Sequence, residues 1–175
     1  MEWVKNMFDV LALGELLIDF SLSGKFDNGN ILFESNPGGT PANVLATVSR
    51  LGINTAFIGK VGNDQFGKFL AKTLKDININ TDGLVFANEF NTALASIHLN
   101  ELGDRSFNFY RNLSADMMLR EDEVNFDRIK NTRVFHFGSV SMTHGPVRSV
   151  TLKAACFAKE NQVLVSYDPN LRPQL

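Results

Sequence analysis

Residues 36–52 read NPGGTPANVLATVSRLG. Two glycines follow a proline, and a Thr-Pro pair then opens a run with helical spacing. The pattern predicts a helix over about Pro41 to Leu51, with Thr40 as its N-cap, Pro41 at the first helical position and Gly52 as its stop. Val44, Leu45, Val48 and Leu51 fall on one face of that helix. Asn43 fits poorly, because an asparagine amide inside a helix competes for backbone groups. The stretch is therefore either a turn that starts a helix or a site that holds something.

The regions on either side alternate between strand and helix patterns. Before it, Phe8 to Leu13 is a short apolar run ending at Gly14, read as a buried strand. SGKFDNGN (23–30) reads as a polar loop and ILFE (31–34) as a short strand. After it come a strand, TAFIGKVG (55–62), and a helix opened by Asp64, with Phe66, Phe69, Leu70, Leu74 and Ile77 on its apolar face. Thr92 to Leu99 and Ser106 to Tyr110 flank ELGD, a hairpin signal. TRVFHFGSV (132–140) reads as a strand, PVRSVTLKAACFAKE (146–160) as a helix and VLVSYD (163–168) as another strand. This order predicts an α/β domain with a parallel sheet and a smaller β element beside it. The final strand has no helix after it to cover it, which predicts completion by a partner or by more chain.

A chain of 175 residues with one cysteine and a formal charge of −2 sets limits on function. Its length suits about one domain. The charge gives no reason to expect nucleic acid or an acidic membrane surface. Cys156 alone forms no internal disulfide framework and, in an Ala-rich helical run, reads as a packed thiol. The apolar start is interrupted by Asp9, Glu15 and Asp19, unlike a signal peptide, and no 18-residue apolar run suggests a membrane span. A cytoplasmic protein is expected.

Several chemical motifs fail on their details. GNDQFGKF (62–69) nearly matches a P-loop, but Phe69 replaces the hydroxyl that would hold magnesium, and Asp64 sits where phosphates should. Its simpler reading is a capped helix start. Gly59, Gly62 and Gly67 have the wrong spacing for a dinucleotide fingerprint. No His/Cys cluster suggests zinc, and His136 reads as a strand residue with a satisfied ring. Ser139 and Ser141 lack a nucleophile-elbow context. What remains is polar groups at predicted strand ends: Asp19, then Gly38, Gly39 and Asn43, then Tyr110 and Arg111, then Asp168, Asn170 and Arg172. Ligands of open α/β sheets bind outside the carboxyl ends of the strands. Each residue has a bland reading as a turn or a solvated charge, but together they suit a polyhydroxylated ligand.

GELLIDF, PGGTPANV, GKVGNDQFG, FYRNLSADM, FHFGS and DPNLRP occur in an order and spacing that resemble the amino-terminal half of the ribokinase-like (PfkB) sugar kinases. The fructokinase and 2-keto-3-deoxygluconate kinase branch is the most similar. One departure is Leu45, where the family signature has a small residue. The resemblance implies a ribokinase-like parallel sheet with flanking helices and a small β lid at about 31–36 and 92–110, the carboxyl-terminal half being absent from 1–175. It implies sugar contacts from Asp19, Gly38, Gly39, Asn43, Tyr110, Arg111 and Arg172, with Asp168 and Asn170 near the nucleotide phosphates. It implies ATP and Mg2+ as cofactors, a small sugar as substrate and a possible homodimer through the lid, with neither nucleic acid nor membrane as partner. The general-base aspartate, in a Gly-Ala-Gly-Asp segment, is expected beyond Leu175, as are the magnesium-linked motif and the adenine pocket. The expected function is thus ATP-dependent phosphorylation of a hydroxymethyl group of a ketose or related sugar, fructose first, with the 175-residue chain a truncated, inactive sugar-binding portion. A nucleoside kinase of the same family and a non-catalytic sugar-binding or oligomerisation module are the rival readings.

Overall fold

The structure is a computed structural model and describes residues 7–99 and 105–170. Its platform is a five-stranded, wholly parallel sheet built from β1 (Phe8–Leu13), β4 (Thr55–Gly62), β5 (Ile79–Ala87), β8 (Thr132–Gly138) and β9 (Leu164–Asp168). The strand order is β5-β4-β1-β8-β9. Strands added after β1 extend the sheet first to one side and then to the other. The order therefore reverses between β1 and β8, and the crevice at their carboxyl ends is the place where such sheets take ligands.

Both faces of the platform's central strands are covered, as a parallel sheet requires, whereas the edge strand β9 leaves Leu164 and Tyr167 exposed. On one face α1 (Thr40–Arg50) and α2 (Gln65–Asp76) bury Leu45, Leu70 and Leu74 against Ala12, Phe57 and Val61. On the other, α3 (Phe126–Lys130) and α4 (Gly145–Glu160) bury Ile129, Val150, Ala154 and Ala158 against Leu11, Leu13, Phe135 and Phe137. The alternation of Leu11 and Leu13 with Ala12 sends successive side chains to opposite faces. Each fully buried leucine contributes about 1.5–3 kcal/mol relative to exposure.

A second sheet, order β3-β2-β6-β7, forms the lid from β2 (Leu17–Lys25), β3 (Ile31–Gly38), β6 (Leu94–Leu99) and β7 (Arg105–Tyr110). β2 runs antiparallel to β3 and parallel to β6, and β6 runs antiparallel to β7. The lid is larger than the sequence pattern predicts, because residues 17–25 form a strand that takes in the first three residues of the polar loop expected at 23–30 and leaves 26–30 as the turn. The hairpin turn expected at Gly103-Asp104 lies outside the described residues. Other boundaries also shift. The first helix begins at Thr40, with Gly39 and not Thr40 in the N-cap position, and Leu51 beyond its end is exposed. Strand β5 carries no clear sequence signal. Phe66 and Phe69 are partly exposed rather than packed in the α2 core, and Phe66 meets Phe20 of the lid edge-to-face at 5.8 Å. Cys156 is exposed on α4, not packed.

The near-P-loop stretch has a structural job. Asp64 caps α2 by accepting from Gly67 N–H at 2.8 Å and also accepts from the backbone N–H and hydroxyl of Thr92 at the root of β6. Burial alone would raise its pKa, but these hydrogen bonds outweigh that and hold it below the usual aspartate value. A depressed carboxylate contributes stability that is present above the unfolded pKa and lost as pH falls through the folded one. Asp64→Ala should cost about 1–2 kcal/mol at neutral pH and flatten the stability loss as pH falls below about 4. Urea titrations of both proteins across that range check this; equal acid sensitivity would rule it out.

Candidate sugar-binding site

A cleft of about 200 Å³ opens between lid and platform, at the crevice beside the ends of β1 and β8. Glu15, Gly39, Thr40, Asn43 and Val140 line its platform side, and Leu17, Asp19, Ile97, Phe107 and Phe109 line its lid side. Strand register explains the lid wall. Asp19 pairs with Ala95, which pairs with Phe109; Ser21 pairs with Ile97, which pairs with Phe107. Residues directly opposite share a face of the sheet. Of the lid residues that line the cleft, Asp19 is the one carboxylate, set among apolar and aromatic side chains.

The glycine pair brings Asp19, Glu15 and α1 together. A Cβ on Gly38 would meet Asp19 Oδ2 at 2.3 Å, so this glycine leaves room for the carboxylate. Gly39 has φ +119°, and a Cβ there would meet the Glu15 carbonyl oxygen at 2.3 Å. Both glycines accommodate neighbouring parts of the chain itself. Thr40 follows, and its N–H donates to Glu15 Oε1 at 2.7 Å. A carboxylate from the β1–β2 connection thus does the capping that α1 has no side chain of its own to do. Thr40 Oγ1 in turn accepts from Asn170 Nδ2 at 2.9 Å. Asn43 stands exposed one turn into α1 on the cleft wall.

Tyr110 and Arg111 take up positions different from those the sequence suggests. Tyr110 pairs with Leu94, in the row that alternates with Phe109, so its exposed side chain lies on the opposite face of the lid from the cleft. Phe109 occupies the cleft position. Arg111 is buried and paired with Asp116: its Nε donates to Oδ2 at 2.6 Å and its Nη2 lies 2.6 Å from the same oxygen. No N–H of Nη2 is aligned on an acceptor among the described residues despite that closeness. Ser114 donates to Asp116 Oδ1, and Arg111 Nη1 reaches Thr143 Oγ1 at 3.4 Å. Arg111 is thus held beneath the lid by a carboxylate and is absent from the cleft lining.

At the end of β9, Asp168 Oδ1 accepts from Asn170 N–H at 3.0 Å, and the Asn170 carbonyl accepts from Ser139. Asp168 and Asn170 therefore join the α1 start from the β9 side, outside the cleft lining. Arg172 lies outside the described residues. His136 of β8 is only half satisfied: Nδ1 is 3.0 Å from Ser166 Oγ, and Nε2 has no partner among the described residues. Burial holds its pKa below the ordinary value against the pull of Asp168.

Glu15 is the main site residue that the sequence did not single out. It is 3% exposed, and its Oε2 has no hydrogen-bond partner among the described residues. Burial pushes its pKa up to about 7. Hydrogen bonds from its own N–H and that of Thr40 pull the other way; Asp116 adds to the rise and Arg111 opposes it. The signal was a carboxylate set in the apolar run GELLI, where an acid stays only if something nearby uses it.

A parallel α/β platform with a β lid over a polar cleft at the strand-order reversal defines a ribokinase-like protein. The family model described as pfkB family carbohydrate kinase matches residues 7–175. This chain belongs to that family. A probable chloroplastic fructokinase-6 of Arabidopsis thaliana is 50% identical over 165 residues, covering 93% of this chain and 43% of the relative. Fructokinase-1 of Zea mays is 48% identical over 168 residues, covering 95% of this chain and 52% of the relative. The crystal structure of a fructokinase from Xylella fastidiosa superposes with a TM-score of 0.89 at 36% identity, covering 94% of this chain and 51% of that one. A structure of that fructokinase with bound ATP superposes with a TM-score of 0.87. The chain spans about half the length of the curated relatives it matches. Among the described residues no helix is long and apolar enough to cross a membrane.

Proposed function

We propose that this chain forms the sugar-recognising part of an ATP-dependent carbohydrate kinase that phosphorylates a hydroxymethyl group of a ketose, fructose being the first choice. The observation that carries the reading is the cleft, which is lined by Asp19 from the lid and Asn43 from the platform together with Glu15, Thr40, Phe107 and Phe109. A carboxylate accepts hydrogen bonds from sugar hydroxyls, and an amide both donates and accepts. The apolar faces of Phe107 and Phe109 suit the C–H faces of a sugar and exclude water. Gly38 and Gly39 serve by positioning Asp19 and the start of α1. Arg172 is assigned to the substrate and Asp168 and Asn170 to the neighbourhood of the nucleotide phosphates. Tyr110 is left on the outer lid face and Arg111 beneath the lid.

ATP supplies the phosphoryl group and Mg2+ neutralises its charge. Among the described residues no group of three or more acidic, histidine or cysteine side chains could hold a metal ion, so no step is assigned to magnesium on this chain. No residue of the chain is assigned as general base.

Asp19→Ala is expected to lower the affinity for fructose at least tenfold, the loss of a charge-assisted hydrogen bond worth about 1.5–3 kcal/mol. Titration calorimetry on the two purified chains measures this, and unchanged affinity would remove Asp19 from the site. A coupled ADP-release assay with fructose addresses turnover. No activity is expected from these residues alone, and ATP-dependent turnover would overturn the assignment of chemistry to residues outside them.

A further inference from the structure

Glu15 sits where the cleft, the start of α1 and a buried charge pair meet. One of its oxygens is used, by Thr40 N–H. The other is buried at the wall of the cleft and has no partner among the described residues. Among the groups from the elements around it, Asp116 precedes α3, Arg111 follows β7, Asp19 is on β2 and His136 is on β8. The first turn of α1 contributes no acidic residue. Arg111 is already committed to Asp116, so it offers Glu15 only partial compensation.

Neither protonation state satisfies Glu15 in this arrangement. Ionised, Oε2 is a bare buried oxygen; protonated, its O–H is a donor with no acceptor. The ionised form makes the stronger bond to Thr40 N–H, because a charged acceptor at a helix amino terminus gains from both the hydrogen bond and the aligned peptide dipoles. It therefore holds the Gly39–Asn43 turn in place. A sugar hydroxyl, or a water that the sugar orders against the wall, supplies the donor that Oε2 lacks.

We propose that Glu15 is a positioning residue for sugar recognition, acting through Thr40 on the turn that carries Asn43, so that sugar binding favours its ionised form and releases a proton. The inference rests on the reading of the cleft as a sugar site. With a carboxyl that titrates near neutrality, affinity increases as pH rises through that range. Binding lowers the pKa of Glu15, and below it a proton leaves to buffer as the complex forms.

The test is fructose calorimetry on this chain between about pH 5.5 and pH 8.5, in two buffers of different ionisation enthalpy. Wild type is expected to gain several-fold in affinity across that range and to release protons on the acid side. Glu15→Gln, which keeps an oxygen for Thr40 N–H, should show a flat profile and no proton release. Asp19→Asn should bind more weakly yet keep the wild-type slope. A flat wild-type profile, or an unchanged slope in Glu15→Gln, would overturn the role. Failure of wild type to bind fructose at any pH would instead sink the sugar reading. Even then, hydrogen exchange at the Thr40 amide tests Glu15: its protection factor should rise through neutral pH in wild type and not in Glu15→Gln. Equal protection profiles in the two proteins would refute the positioning role.

Discussion

Alanine in place of Asp116 is expected to destabilise the chain by about 3–5 kcal/mol, because it strands the buried Arg111 guanidinium without a counter-charge. Arg111 and Asp116 have side chains only 4% and 1% exposed, so water cannot take the place of the lost carboxylate. Ser114 loses its acceptor as well. For a chain of this size that loss lowers the melting temperature by roughly 10 °C. Circular dichroism with heat or urea measures it. The control is a paired replacement, Arg111→Met with Asp116→Leu. Removing both charges is often neutral or stabilising, so the double variant should recover most of the stability. A single variant within 1 kcal/mol of wild type would show that Arg111 finds another partner, with Glu15 the one to examine first.

Gly39→Ala should be damaging for two separable reasons. The backbone there has φ +119°, a region essentially reserved for glycine, at a cost of about 1–3 kcal/mol for another residue. The added methyl would also press on the Glu15 carbonyl oxygen at 2.3 Å, a backbone atom that cannot swing aside. Gly52 offers the comparison, with φ +82° and nothing within 4 Å of an added Cβ. Gly52→Ala should cost about 1 kcal/mol, the conformational part alone. Gly39→Ala should exceed it by at least another 1–2 kcal/mol and should also weaken fructose binding, because the α1 start moves. Equal losses at the two positions would show that the contact with Glu15 carries no weight.

The sequence pattern was informative wherever side chains face a covered sheet. Phe8 to Leu13 and TAFIGKVG read as strands because both faces of the platform are buried, which leaves continuous apolar runs. Asp64 and Pro146 marked helix starts by local chemistry. The lid was harder, since its strands are held by pairing over long separations and are partly exposed. β2 of the lid ends in SLSGK, and β5 at the edge of the platform begins INTDG; both are strands because a neighbour pairs with them, despite residues of poor strand propensity. In NFYR the period of two could have placed Phe109 and Tyr110 on opposite faces once the lid edge was known. The Arg111–Asp116 pair needed three dimensions, since a spacing of five residues through a turn and a 3-10 segment has no fixed geometry.

The platform is built around its oldest segment in chain order. β1 has β4 on one side and β8 on the other, and Phe8 pairs with Thr132 across 124 residues. As the polypeptide leaves the ribosome, β1 can meet β4 early but must wait for most of the remaining chain before its second edge is covered. Until then one flank of a buried parallel strand stays open, with Leu11, Leu13 and Val10 beside it, as a template for foreign strands. The lid hairpins close far shorter loops and can form first. Biogenesis is thus the vulnerable stage, and slow translation between β4 and β8 should lengthen it.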